Sequence, residues 1–303
     1  MRSRGALPHV WTLTAFALGM LWSCNPTSES GKIVFVSGES LRRLSVFEME
    51  LDGSNRRPIP EMPSPVGDFS ISRDGKVYAY AALNPEKTRS AIWVGVRGGP
   101  PPTQMQVPKD AIMPEVSPDG GQLAFITVWS ESMDVMVCPT NGGKPQPVTA
   151  TPKNREAFPS FSFDGKQLSF VRLGDARGPE VQCDIWLLDL RTGKETLILR
   201  DTHYVASPPR FSPDGKSIVY SANKPLPQFD LFLISIADKK IRRLTSDGHS
   251  FNPRFIDNDT VLFESNLTGR NQLAILDLKT GKQRVLASDS NDYAGHYVEG
   301  SRD

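Results

Sequence analysis

The chain has 303 residues, enough for one large all-β domain or two ordinary ones. Its formal net charge of +1 and 38% hydrophobic content describe a globular protein with no bulk attraction to polyanions. Neither a basic excess nor a basic stripe is present, so a nucleic-acid partner is not expected.

The N-terminus opens MRSRGALPH, with Arg2 and Arg4, then runs apolar from Val10 to Trp22. A charged stretch before an apolar stretch reads as a secretory signal peptide. The run is shorter than the roughly 18 to 20 residues of a permanent membrane span. Leu21-Trp22-Ser23-Cys24 follows and resembles a bacterial lipobox, in which a cysteine is lipidated and becomes the first residue. That resemblance predicts a leader over 1–23, a lipid anchor on Cys24, and a polar tether over 24–30. Asn25 is not Asp, so the cue that retains lipoproteins at the inner membrane is missing. The expected location is the periplasmic side of the outer membrane.

Beyond the tether one phrase returns. ISRDGKVYAY (71–80), VSPDGGQLAF (116–125), FSFDGKQLSF (161–170) and FSPDGKSIVY (211–220) share a turn followed by a strand. The marker aspartates Asp74, Asp119, Asp164 and Asp214 are spaced by 45, 45 and 50 residues, and FIDNDTVLF (255–263) is a degraded copy. A fixed period of this size is the signature of a repeat architecture. Within each unit a short strand such as PPRF (208–211) precedes the turn, and an alternating strand such as Ser217 to Tyr220 follows it. A third strand comes next, DIWLLDL (184–190) or DLFLISI (230–236). A tight turn such as RTGK (191–194) leads to a closing strand such as ETLIL (195–199). No amphipathic helical period is evident. Four short antiparallel strands per repeat make a propeller blade.

The ends fix the count. GKIVFV (31–36) reads as a second strand with no first strand upstream, and NDYAGHYVEG (291–300) reads as a first strand with nothing after it. Pairing the two closes the circle and removes open sheet edges. The expected fold is all-β: one six-bladed propeller over 31–300. Its blades fall at 31–65 with 291–300, then 66–110, 111–155, 156–205, 206–248 and 249–290.

The PxFSPDGKxIxF…DIWxxDLxTGKxxxLT pattern resembles the WD-like propeller repeats of the TolB family. Such repeats also stand beside the catalytic domain of prolyl oligopeptidase-type peptidases. The resemblance spans essentially all of 31–300 and implies fold far more strongly than function. TolB proper places an α/β domain before its propeller, whereas here only the segment 25–30 separates Cys24 from the first blade.

Chemistry-bearing motifs are sparse. No GxSxG elbow, Walker loop or Rossmann glycine pattern occurs, so no catalytic residue and no cofactor is assigned. The turn aspartates are single carboxylates in Pro/Gly turns and read as structural rather than as calcium ligands. Cys138 and Cys183 lie at opposite ends of matching strands, which makes buried free thiols the expected state. Propeller lyases similar to these repeats gather histidines and a metal on one face. His203 and His249 lie near blade crossings and His296 lies in the closing strand, but they are out of register, so no metal site is assigned. Glu48 and Glu50 alternate along an early strand and read as a solvated face. Exposed aromatics and arginines are common interface anchors. On that basis Arg155, Glu156, Tyr204, His203, His249, Tyr293 and Trp129, placed in loops, are the candidate binding face. The function this implies is a monomeric, non-enzymatic envelope protein that binds other proteins. Its alternatives are a metal-dependent lyase or hydrolase, or a carbohydrate-binding propeller, with the site at the channel mouth.

Overall fold

A computed structural model describes residues 31–39, 44–63, 68–83, 90–107, 110–128, 132–151, 154–174, 183–200, 205, 207–223, 228–286 and 288–300. Cys24, Trp129, His203 and Tyr204 lie outside the described residues.

Among the described residues twenty-four strands form six four-stranded antiparallel units, the third and fourth of them joined by one parallel pairing of Met133 with Arg155, and no helix occurs. The second blade is β4 (Phe69–Ile71), β5 (Val77–Leu83), β6 (Ser90–Val96) and β7 (Thr103–Gln104). The third is β8 (Asp110–Val116), β9 (Gln122–Val128), β10 (Met133–Pro139) and β11 (Gln146–Pro147). The fourth is β12 (Arg155–Phe161), β13 (Gln167–Leu173), β14 (Cys183–Asp189) and β15 (Glu195–Leu199). The fifth is β16 (Arg210–Phe211), β17 (Ser217–Ala222), β18 (Asp230–Ser235) and β19 (Ile241–Arg243). The sixth is β20 (Ser250–Phe255), β21 (Thr260–Ser265), β22 (Gln272–Asp277) and β23 (Gln283–Val285).

The first blade is assembled from both ends of the chain. Its order is β24 (Asn291–Val298), β1 (Lys32–Gly38), β2 (Ser45–Glu50) and β3 (Arg57–Pro58). Lys32 faces Val298 and Gly38 faces Asn291 across the β1–β24 seam. Arg56 clamps this seam with two hydrogen bonds to the buried Asp292, of 2.7 and 2.8 Å, while its guanidinium lies over Phe35 and Phe47.

The turns show why the marker phrase recurs. In FSPDGKSIVY, the Ser212 hydroxyl donates to Asp214 Oδ1 at 2.7 Å and accepts from the Ser217 amide. Asp214 Oδ1 also accepts from the Lys216 amide, and Gly215 takes a φ of +70°, which a Cβ would strain. The same bonds recur at Ser72/Asp74, Ser117/Asp119 and Ser162/Asp164. The serine and aspartate therefore fold the first hairpin of each blade, as their role in a tight turn requires.

The second strands depart from the alternating pattern expected of them. Five consecutive residues of β1, Ile33 to Ser37, are buried. Each blade is sandwiched between two neighbours, so both faces must be apolar. Ile33 and Phe35 pack toward the sixth blade, Val34 and Val36 toward the second. Six apolar clusters fill the six gaps between neighbouring blades, which closes the ring by packing as well as by hydrogen bonds. Each large side chain buried there contributes about 1.5–3 kcal/mol. Apart from β15, whose Ile198 is buried, the outermost strands are short and largely exposed, and Pro58 and Pro147 sit in them, where a missing N–H costs no ladder bond.

Cys138 and Cys183 are buried and form no disulfide, as their strand positions imply, and burial pushes the Cys138 thiol up to about 11. Glu48 is a correction. It is not solvated but buried in β2, because Arg97, Arg57 and Lys32 converge on it at 2.8, 2.5 and 3.4 Å. Burial raises its pKa, and the arginine hydrogen bonds more than offset this, leaving it at about 2.

Candidate functional site at the channel mouth

The innermost strand of every blade lines the central channel. One position on each, paired in the same register with the second strand, gives a ring: Ser70, Glu115, Ser160, Arg210, Arg254 and His296. In the four intact repeats this residue stands two positions before the turn serine. The blades thus turn a sequence column into a ring of side chains around one axis.

The ring is a connected polar cluster. Glu115 accepts from Arg210 Nη1 and from the Ser70 hydroxyl, the latter at 3.3 Å. Arg210 Nη1 also donates to Ser160 Oγ at 3.0 Å. Arg254 Nη1 stands 3.6 Å from Glu115 Oε1, and its Nη2 stands 3.3 Å from His296 Nε2. His296 Nε2 lies 3.1 Å from the Phe69 carbonyl oxygen. Burial and the charges of Arg254 and Arg210 hold the His296 pKa well below the usual histidine value, so its ring is neutral. Burial, reinforced by Arg210 and opposed by Glu115, lowers Arg254 to about 9.

Above the ring the channel widens into a cavity of about 530 Å³. A much smaller space of about 60 Å³ lies on the other side of the ring. The lining of the large cavity is mainly apolar, with Phe158, Phe229, Phe251 and Met113, and polar side chains such as Asn252, Asn266 and Glu264 stand among them. This size and lining suit a binding pocket.

The walls are aimed by backbone distortion. Met113, Phe158, Asn252 and Ala294 each adopt a positive φ, of 53°, 57°, 51° and 49°, and each stands two residues before its ring residue. A break in strand register occurs at each of these places. These are β-bulges, which leave one residue unpaired and re-aim its side chain. All four residues line the cavity. A left-handed conformation costs a non-glycine residue about 1 kcal/mol or more, so the mouth is built at some expense to stability.

In the same blade as Arg254, on the neighbouring strand β21, Glu264 is buried and accepts from Asn252 Nδ2, Asn271 Nδ2 and the Ala294 amide at 2.5, 2.7 and 2.9 Å. Burial pushes its carboxyl up from the usual range, and those donors only partly oppose it. At the rim, Asp68 accepts from the Met113 amide at 3.1 Å.

The residues singled out in the sequence fare differently. His249 sits on the rim, its Nδ1 2.7 Å from Oδ1 of the cavity-lining Asn266. Tyr293 is a half-buried residue of β24 beside Ala294, and Arg155 is the exposed first residue of β12, so both lie in strands rather than loops. Glu156 is a further correction. It is fully buried in β12, bonded to Thr151 and Arg172, and presents nothing to a partner. Its carboxyl is raised by burial despite those two bonds. His296 lines the channel. Among the described residues no group of three His, Cys, Asp or Glu side chains is arranged to hold a metal ion. Glu115, Arg210, Arg254 and Glu264 were not anticipated from sequence. Their signal was the repeat column two residues before the turn serine, whose charge varies from blade to blade.

Residues 158–301 match the family described as the TolB beta propeller domain. The full fold is similar to TolB from Acinetobacter baumannii, with a TM-score of 0.69 and 18% identity over 89% of this chain and 67% of that one. It is similar also to a putative TolB from Agrobacterium tumefaciens, with a TM-score of 0.64 and 18% identity over 89% and 98% of the two chains. Among curated proteins, Dipeptidyl-peptidase 5 of Porphyromonas gingivalis is 25% identical over 155 residues. That match covers 48% of this chain and only 22% of the peptidase. The protein is therefore an all-β, TolB-like six-bladed propeller, and at these identities the solved structures speak to fold alone.

Proposed function

We propose that this chain is a non-enzymatic, lipid-anchored cell-envelope protein that binds a segment of another protein at its channel mouth, in outer-membrane organisation or envelope transport. The observation that carries the reading is the cavity of about 530 Å³, walled by Phe158, Phe229, Phe251 and Met113 and floored by the ring arginines. An apolar wall over a few convergent polar groups is what a recognition pocket requires. The four bulges that aim the wall support the same reading, since strain kept at one end of the channel marks a functional surface. The lipobox-like Leu21 to Cys24 supplies the anchor in this scheme, and stable anchoring needs more than one acyl chain.

The test is crosslinked capture of the tagged protein from intact envelopes, with Phe251→Ala as the comparison and Cys24→Ser fractionated in parallel. One dominant envelope protein, lost with Phe251→Ala, and release of Cys24→Ser from membranes are the expected results. A capture profile unchanged by Phe251→Ala would refute the channel-mouth reading. Unchanged membrane fractionation of Cys24→Ser would refute the anchor.

A further inference from the structure

The ring holds more donors than acceptors. Two guanidinium groups carry ten N–H donors and share one carboxylate, Glu115. Arg210 is about nine-tenths buried and its Nε has no hydrogen-bond partner. Among the described residues Arg254 makes two polar contacts, of 3.3 and 3.6 Å, both longer than a good N–H···O bond. His296 cannot complete the set. Its Nε2 faces both a donor, Arg254, and an acceptor, the Phe69 carbonyl, so one of the two contacts lacks a proton of the right sense. The other two carboxylates at the cavity do not serve the arginines. Glu264 is occupied by Asn252, Asn271 and Ala294, and Asp68 is an exposed rim residue bonded to the Met113 amide. A buried cation without a full partner is costly, and Arg210, with the partly buried Arg254 beside it, opens onto a mainly apolar cavity.

We infer that the cavity floor is a carboxylate subsite. A free carboxylate docks on Arg254, with Arg210 behind it, and belongs to a peptide segment whose apolar side chains rest on Phe158, Phe229 and Phe251. A planar carboxylate matches the guanidinium fork and is held by charge-assisted bonds inside a low-dielectric pocket. The carboxylate has two possible sources, a chain terminus or an acidic side chain. The inference rests on the channel-mouth reading and names the ligand chemistry of that site.

The probes are N-acetyl-Phe-Leu, its C-terminal amide, and N-acetyl-Phe-Asp-amide, titrated calorimetrically into the full-length chain in detergent micelles. At least one acid binds about tenfold or more tightly than the neutral amide, and the tighter acid identifies the source. Arg254→Gln abolishes that preference, and Arg254→Lys restores part of it. Equal binding of acids and amide overturns the inference but leaves the pocket reading standing. Retained preference in a folded Arg254→Gln protein overturns it as well. Absence of binding by all three peptides overturns it too. If capture is then also insensitive to Phe251→Ala, the underlying reading falls with it.

Discussion

Two arginine clusters in this propeller make opposite use of the same chemistry. In the fourth blade, Arg172 stands between two carboxylates. Its Nε donates to Glu156 at 2.8 Å, and Nη1 and Nη2 fork onto Glu195 at 2.9 and 3.0 Å. Its planar face lies over Phe170 and Trp186, a cross-strand pair. Every part of that guanidinium is engaged, so the cluster braces β12, β13, β14 and β15. In the channel ring the proportion is reversed, with two arginines to one glutamate and a buried Nε left over. A brace satisfies its donors internally, whereas a binding site leaves some free for what it binds. Charge alone would not separate the two clusters. The count of acceptors does.

The comparison can be broken most forcefully at the brace. Arg172→Ala should cost about 3–5 kcal/mol in chemical denaturation, because two carboxylates lose their partner and one of them is fully buried. A loss below about 1 kcal/mol would mean that the fork carries no structural weight.

The Glu48 cluster sharpens the comparison through pH. Its folded pKa of about 2 lies below the ordinary value of 4.5. The unfolded chain therefore binds the proton first, and the stabilisation is complete above pH 4.5 and lost as pH falls toward 2. Arg57 is largely exposed, so solvent screening trims the contribution to about 2 kcal/mol. Denaturation midpoints of the wild type and Glu48→Gln should converge across that window. Parallel curves would contradict the assignment.

A smaller effect is expected at the turns. Asp164→Ala removes the acceptor shared by the Ser162 hydroxyl and the Lys166 amide. Because the site is exposed, the cost should be about 1 kcal/mol by urea titration. A loss of folding would instead make this turn a nucleus of the whole blade.

Much of the fold was legible because it resides in what the repeats share. The Ser-x-Asp-Gly turn must supply the same two side-chain acceptors and the same positive φ in each copy, so its residues recur. The lone strands at Gly31 and Asn291 announced their pairing for the same reason, since a blade lacking its inner strand has an open edge. The site was less legible because it resides in what the repeats do not share. Ser70, Glu115, Ser160, Arg210, Arg254 and His296 fall into four residue types of differing charge, and only closure of the ring makes them neighbours. Glu156 misled for a related reason. Its flanking KNRE reads as a polar loop, and only Arg172, sixteen residues away and facing it across the β12–β13 pair, explains a buried carboxylate there.

The account turns on the claim that the ring arginines exist for a ligand and not for the fold, and thermal melting of Arg254→Gln beside Arg172→Gln tests it most directly. Arg254→Gln removes one of two neighbouring like charges, so it should melt at or above the wild-type temperature, while Arg172→Gln melts several degrees lower. If Arg254→Gln lost as much stability as Arg172→Gln, the ring would be a second brace and the binding-site reading of the channel would be contradicted.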